Sequence, residues 1–206
     1  MGPGQLKAGA GLELPQRERF GILIVCTANI CRSPLAEHLL RLALEADRDQ
    51  PDRSEFVVRS AGTQGWDGSE MDAAAAEELR RLGGDPTGFL AKSLSPCDCE
   101  AADLILTATL AHRVAVLQEV PQALKRTFTL LEFAHLVSRL DEVREATGET
   151  HQLVSRAAAT RGAAELDAYD VLDPYGAAPD FHRKTAELVD DAVRSIAAAL
   201  TGRTSS

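Results

Sequence analysis

The sequence predicts an α/β fold: a single domain with a four-stranded parallel sheet flanked by helices. Two observations carry the prediction. Short apolar runs rich in β-branched residues, at 20–25, 55–60, 102–108 and 126–130, alternate with longer stretches at helical spacing, the order that builds βαβ units. The 206 residues, 45% hydrophobic, are enough for one well-buried core and too few to need two.

Taken in order, residues 1–18 hold Gly, Pro, Gln and charge without periodicity and read as a flexible N-terminal tail, leaving 19–204 as the domain. Phe20–Val25 has the pattern of a central parallel strand. After a short loop, Leu35, Leu39, Leu42 and Ala46 mark a helix face, and the polar break 47–54 precedes a second strand, Glu55–Ser60. Ala61–Gly68 then lies at that strand's carboxyl end, the side where open α/β sheets bind ligands. It holds Trp66, the only Trp, which is expected as a cleft wall because its glycine-rich surroundings bury little.

Met71, Ala75, Leu79 and Leu82 give a second helix closed by Gly83-Gly84. Residues 89–100 read as a loop with a short helix, 102–108 as the third strand, Leu110, Val114, Leu117 and Val120 as a helix face, and 126–130 as the fourth strand. Phe133, Leu136, Val137, Leu140 and Val143 form another stripe, broken at Thr147-Gly148 before Leu153, Val154, Ala157 and Ala158. Phe181, Thr185, Leu188, Ala192, Ile196 and Ala199 trace a last helix ending near Gly202.

The loop after the first strand carries the chemistry. Ser33-Pro34 opens a helix, with Ser33 expected as N-cap and Pro34 at the first helical position, where its missing N–H costs nothing. The residues before it must curl over the helix N-terminus with converging backbone N–H groups, an anion cradle. Cys26 and Arg32, with five residues between them, can both face one bound ion. A phosphate dianion suits the N–H groups and the guanidinium fork, and the same positive field favours a thiolate. The reading is therefore a phosphate-binding loop after the first strand. Far downstream, Asp170-Val-Leu-Asp173-Pro174-Tyr175-Gly176 reads as a rigid turn that can hold a carboxyl group.

The residues Cys26-Thr-Ala-Asn-Ile-Cys-Arg-Ser-Pro34, with Asp173-Pro174-Tyr175-Gly176, resemble the low-molecular-weight protein tyrosine phosphatases, bacterial branch. The resemblance implies hydrolysis of phosphotyrosine through a cysteinyl-phosphate intermediate. Cys26 is then the nucleophile, Arg32 the phosphate holder and Asp173 the general acid and base. Thr27, Ala28, Asn29, Ile30, Cys31 and Ser33 complete the phosphate loop, Asn29 orienting it and Ser33 hydrogen-bonding the thiolate. Trp66 and Tyr175 become facing aromatic walls deep enough for an aryl phosphate. Ile30 stands at a position that resembles the one where the protein-arginine phosphatase branch carries Thr, so Ile there favours phosphotyrosine. Cys31 is similar to the family's backup thiol, with a small buried hydrophobe as its plain alternative.

Three departures from the family pattern stand out. Ala28 replaces a common Gly, Thr109 stands near a usual Asp, and residues 134–168 read as a helical insertion whose candidate roles are lid, partner surface or, preferred, extra scaffold.

Composition narrows the rest. A net charge of −9 opposes general nucleic-acid binding, and no run reaches the eighteen apolar residues of a membrane span, so a cytoplasmic location is expected. Met1-Gly2 lacks the Ser or Thr of a myristoylation signal, position 6 being Leu. The 18 Arg against 4 Lys suggest a high-GC bacterial genome. The four cysteines read as reduced thiols. No cofactor or metal is expected, since His38, His112, His135, His151 and His182 offer no ligand pair on one helix and read as surface or packing residues. The expected partners are phosphotyrosine proteins, a bacterial tyrosine kinase among them. Two rivals stand beside this reading. A thioredoxin-linked arsenate reductase needs two redox cysteines after the third strand, and Cys97 and Cys99 precede it. A silent phosphate-binding regulatory module would not need Cys26, Arg32 and Asp173 together.

Overall fold

The structure, a computed structural model, describes residues 19–45, 56–140, 150–163 and 168–202. Strand β1 (Phe20–Cys26) sits in the middle of a four-stranded sheet with β2 (Phe56–Gly62) on one side and β3 (Leu104–Thr107) and β4 (Thr127–Thr129) on the other, all parallel. The register pairs Cys26 with Gly62 and Val25 with Thr107, so the carboxyl ends of the three longest strands finish level.

Both faces of the sheet are covered, which is why the strands read as nearly unbroken apolar runs. Ile22, Ile24, Leu104, Leu106 and Phe128 point to one face. They pack there with α1 (Arg32–Glu45), α2 (Ala73–Arg81), α5 (Leu130–Leu140) and the long α7 (Pro179–Thr201). Leu23, Val25 and Ile105, one residue out of phase, meet Cys99 of α3 (Pro96–Glu100), Val116 of α4 (Leu110–Glu119) and Ala123 of the 3-10 turn Pro121–Arg126. Each fully buried Leu, Ile or Phe contributes about 1.5–3 kcal/mol of transfer energy, so this two-sided alternation is the main term holding the sheet.

Helix boundaries follow local chemistry. Asp72 caps α2 by accepting from the N–H groups of Ala74 and Ala75, and Gly202 ends α7 at φ 85°, where a Cβ would be strained. Helix α1 begins at Arg32, not after Ser33: the Cys31 carbonyl accepts the Leu35 N–H, so Cys31 takes the capping place and the Ser33 side chain is free for other partners. Three helix faces differ from their sequence reading. The buried arc of α1 centres on Ala36 and Leu40 and leaves Leu42 at its margin, 40% exposed. In α4 the burial is shifted from the expected face, of which Leu117 and Val120 do pack on the core. Leu110 and Val114 face outward while His112 and Val116 face in, because α4 carries apolar residues all round and its polar anchor at His112 decides the phase. In α7, Val189 takes the core place and Leu188 stays half exposed. The expected features at 1–18, Ala46–Glu55, Val143 and Thr147-Gly148 lie outside the described residues.

Helix α6 (Thr150–Thr160) and the turn Arg161–Ala163 pack under the amino ends of the strands. The His151 ring stacks edge-on to Phe20 with centroids 5.0 Å apart, and Val154 and Ala157 are buried. Arg161 is the bolt. Its Nε lies 3.0 Å from buried Glu132, its Nη2 donates to the Thr127 carbonyl at 2.7 Å, and its guanidinium stands 4.1 Å from the centre of the Phe128 ring. His151 stands beside Phe20, seven residues of β1 and about 20 Å at strand rise from Cys26, whereas Arg161 lies on the edge strand β4, whose Thr127 is level with Leu23 through Ile105. None of residues 135–140 and 150–163 lines the cleft at the carboxyl end of β1, and residue 134 itself falls inside α5, between Phe133 and Leu136, which are both in the core. Arg161→Ala should lower stability by about 2 kcal/mol, since Arg113 still faces Glu132. Urea unfolding would read this as a lower midpoint with an unchanged slope.

Candidate active site

The loop Thr27–Cys31 turns over the N-terminus of α1 at the carboxyl end of β1. Its shape is imposed from outside by the stretch after β2. Thr63 N–H donates to the Cys26 carbonyl at 2.9 Å, Gln64 to Thr27 at 2.9 Å, Trp66 to Ala28 at 3.0 Å, and Asp72 to Ile30 at 2.9 Å. In a planar trans peptide the C=O and the following N–H point opposite ways. Drawing the carbonyls outward thus turns the N–H groups of residues 27–29 and 31 inward, and those of 28–31 donate to no acceptor among the described residues. Gly62 makes the close approach possible: a Cβ there would lie 2.4 Å from the Thr27 carbonyl oxygen.

Asn29 fixes the remaining curvature. It is fully buried and takes φ 60°, the only positive φ of a non-glycine among the described residues, so Ala28 sits in ordinary backbone and its Cβ costs nothing. The Asn29 amide donates to Ser33 Oγ at 2.9 Å and Ser60 Oγ at 2.8 Å, and its carbonyl accepts the Lys92 N–H at 2.9 Å. Ser60 in turn donates to buried Glu37, which is paired with Arg41. Ser33 Oγ meets Cys26 Sγ at 2.9 Å. Asn29 and Ser33 therefore lie behind the loop and support it, while Cys26, Thr27, Ala28, Ile30, Cys31, Arg32, Trp66, Asp173 and Tyr175 line a cleft of about 220 Å³ together with Gln64.

Arg32, 6% exposed, enters this cleft from the first turn of α1. Its Nη1 donates to the Val171 carbonyl at 3.2 Å, and its Nη2 to Thr27 Oγ1 at 3.3 Å and Asp173 Oδ2 at 2.7 Å. Its buried Nε has no acceptor among the described residues. The Asp173 loop is held by Asp170, which accepts the Leu110 N–H at 2.8 Å, by the Val171 N–H on the Ala108 carbonyl at 2.8 Å, and by Gly176 at φ 72°. Asp173 Oδ1 also accepts the Tyr175 N–H at 3.2 Å. Trp66 and Tyr175 meet edge to face, ring centroids 5.5 Å apart, so they form a corner and not the facing walls expected from sequence. An aromatic ligand would lie against this corner.

The cysteines divide clearly. Burial, aided by Asp72 and Asp173, pushes the Cys31 thiol far up, and burial raises Cys99 to about 11. Cys97 is exposed, neither Cys97 nor Cys99 reaches the cleft, and all four thiols are free. No His, Cys, Asp and Glu cluster fit for a metal occurs among the described residues, and no helix there is long and apolar enough to cross a membrane.

Sequence reading missed four partners: Glu37, Ser60, the Val171 carbonyl and His112. Glu37 was signalled by standing four residues after Ser33, on the same helix face. His112 is no surface or mere packing residue. It is 8% exposed, with Nε2 2.9 Å from Thr27 Oγ1 and Nδ1 2.7 Å from Thr109 Oγ1, so Thr109 keeps a polar link where the usual Asp is missing.

A buried thiol and guanidinium in one N–H-lined loop, faced by a carboxylate, define a phosphate-ester site of the cysteine-nucleophile type. The comparisons agree. The family model described as low molecular weight phosphotyrosine protein phosphatase matches residues 21–145. The low molecular weight protein-tyrosine-phosphatase Ptp of Acinetobacter johnsonii is 36% identical over 109 residues, 53% of this chain and 70% of that one. A protein-arginine-phosphatase of Geobacillus stearothermophilus is 32% identical over 114 residues, 55% and 71% of the two chains. The solved structure of the YwlE arginine phosphatase from Geobacillus stearothermophilus superposes with a TM-score of 0.65 at 23% identity, over 89% of this chain and 94% of that one. The chain belongs to the low molecular weight phosphotyrosine protein phosphatase family.

Burial and Arg32 push the His112 pKa from 6.5 down to about 4. Between those values the unfolded chain binds a proton that the folded chain refuses, so stability must fall as pH drops from about 6.5 toward 4 and level off below. His38, also lowered by burial, adds to the same slope. Urea midpoints across this window should fall for the wild type, and fall less steeply for His112→Asn.

Proposed function

We propose that Cys26, Arg32 and Asp173 hydrolyse phosphotyrosine esters in two displacements. The supporting observation is that all three side chains face one cleft, with Arg32 Nη2 2.7 Å from Asp173. An arriving phosphoryl group takes the inward N–H groups and the unpartnered Nε of Arg32. It also competes with Asp173 for Nη2, which frees the carboxyl group to turn to the ester oxygen. The Cys26 thiolate, steadied by the Ser33 hydroxyl, attacks phosphorus; the P–O(aryl) bond breaks and Asp173 gives its proton to the phenolate. Water then attacks the cysteinyl-phosphate, Asp173 takes its proton, and the S–P bond breaks to return thiolate and inorganic phosphate.

The wall chemistry supports an aryl ester. Ile30, Trp66 and Tyr175 give the cleft an apolar side and a corner for a ring, whereas no carboxylate other than Asp173 is there to receive a guanidinium. The substrates are phosphotyrosine proteins, a tyrosine kinase among the candidates, in the cytoplasm. The 134–168 segment acts as scaffold.

Cys26→Ser should abolish aryl phosphate turnover while urea unfolding stays cooperative. Asp173→Ala should lower kcat by about 10²–10⁴-fold with inhibition by inorganic phosphate retained. Undiminished turnover in the serine variant, measured at steady state, would end the mechanism. Phosphotyrosine peptides should be dephosphorylated faster than phosphoarginine peptides of the same sequence, and the reverse order of kcat/KM would overturn the substrate assignment.

A further inference from the structure

One buried side chain touches the cradle yet takes no part in the two displacements. His112, in the first turn of α4, joins Thr109 Oγ1 at 2.7 Å and Thr27 Oγ1 at 2.9 Å. Burial and Arg32 keep its ring neutral. A neutral imidazole donates from one nitrogen and accepts at the other. The shorter separation is the usual one for an O–H donor and the longer for an N–H donor, so the Thr109 hydroxyl donates to Nδ1 and Nε2–H donates to Thr27. Thr27 Oγ1 also accepts from Arg32 Nη2 at 3.3 Å. Both of its lone pairs are then engaged, and only its own hydrogen remains to be placed. Thr27 lines the cleft.

We propose that the Thr27 hydroxyl donates a hydrogen bond to a phosphoryl oxygen of the substrate, and that His112 is the positioning residue that makes it a donor. The cradle thereby gains a side-chain O–H beside its backbone N–H groups and Arg32. The same oxygen, held from behind by Nε2, fixes the inner edge of the guanidinium. The inference rests on the reading of the cleft as a phosphoryl site, and adds the residue pair Thr27 and His112 to it.

The test measures inorganic phosphate binding to the full chain by calorimetry, with KM and kcat for an aryl phosphate alongside. Thr27→Val removes the hydroxyl and keeps the shape. It should weaken phosphate and raise KM about tenfold, as the loss of a hydrogen bond to a charged group does, while Thr27→Ser stays within about threefold of the wild type. His112→Phe should weaken phosphate similarly when made alone and have no further effect when combined with Thr27→Val. His112→Gln, which keeps an N–H donor, should recover part of the loss and stands in where the Phe variant does not fold. Phosphate bound as tightly by Thr27→Val as by the wild type would overturn the proposal. So would equal effects of His112→Phe with and without Thr27→Val, which would make the histidine a brace for the fold only. A wild-type chain that neither binds phosphate nor turns over aryl phosphate would overturn the underlying reading as well, whereas wild-type turnover with silent Thr27 variants would overturn this inference alone.

Discussion

The site depends on the direction of four carbonyl groups. A loop of five residues cannot by itself choose to aim its N–H groups inward, since that leaves four donors without partners and four acceptors facing solvent. The choice is made by residues 63–66 and 72, whose N–H groups hold the loop carbonyls from outside at 2.9–3.0 Å. Asn29 completes the fold of the loop from within, accepting a strained φ in return for three hydrogen bonds. Inward donors, a thiol at the end of a strand and a guanidinium at the start of a helix then follow from position alone. The anion site is less a property of the motif than of the clamp around it.

That dependence explains what could be read from the sequence. Cys26, Arg32 and Asp173 were legible because two short motifs name them, and the strands were legible because a sheet covered on both sides leaves continuous apolar runs. The support was not. Ser60, Glu37 and the Lys92 N–H reach Asn29 from elements with no local signal for it, and hydrogen bonds across the register of a sheet leave no periodicity behind. Helix phase failed for a related reason. A helix such as α4, with Leu110 and Val114 on one side and Val116 on another, has no single apolar stripe, and a polar contact at His112 settled which side went in. Ser33 looked like a cap because its residue type caps helices; the thiol beside it, 2.9 Å away, made a stronger claim on the hydroxyl.

The two ends of the sheet carry different tasks. At the carboxyl ends stand the cradle, Trp66 and the Asp173 loop; at the amino end of β1 His151 of α6 stacks on Phe20, and Arg161 braces the edge strand β4. The ion cluster of Glu132, Arg113 and Arg161 ties that edge to the first turns of α4 and α5, Glu132 also accepting the Thr129 N–H, and none of the three lines the cleft. Sequence change in α6 can therefore alter stability while leaving the residues that line the cleft in place.

The order of these pieces along the polypeptide matters for a chain being made. The cradle precedes its supports in the chain: its helix α1 buries its face against α7, and the carboxylate that faces its guanidinium comes 141 residues after Arg32. Until α7 has been made, that face of α1 lacks its partner, and the Arg32 guanidinium lacks the carboxylate opposite it.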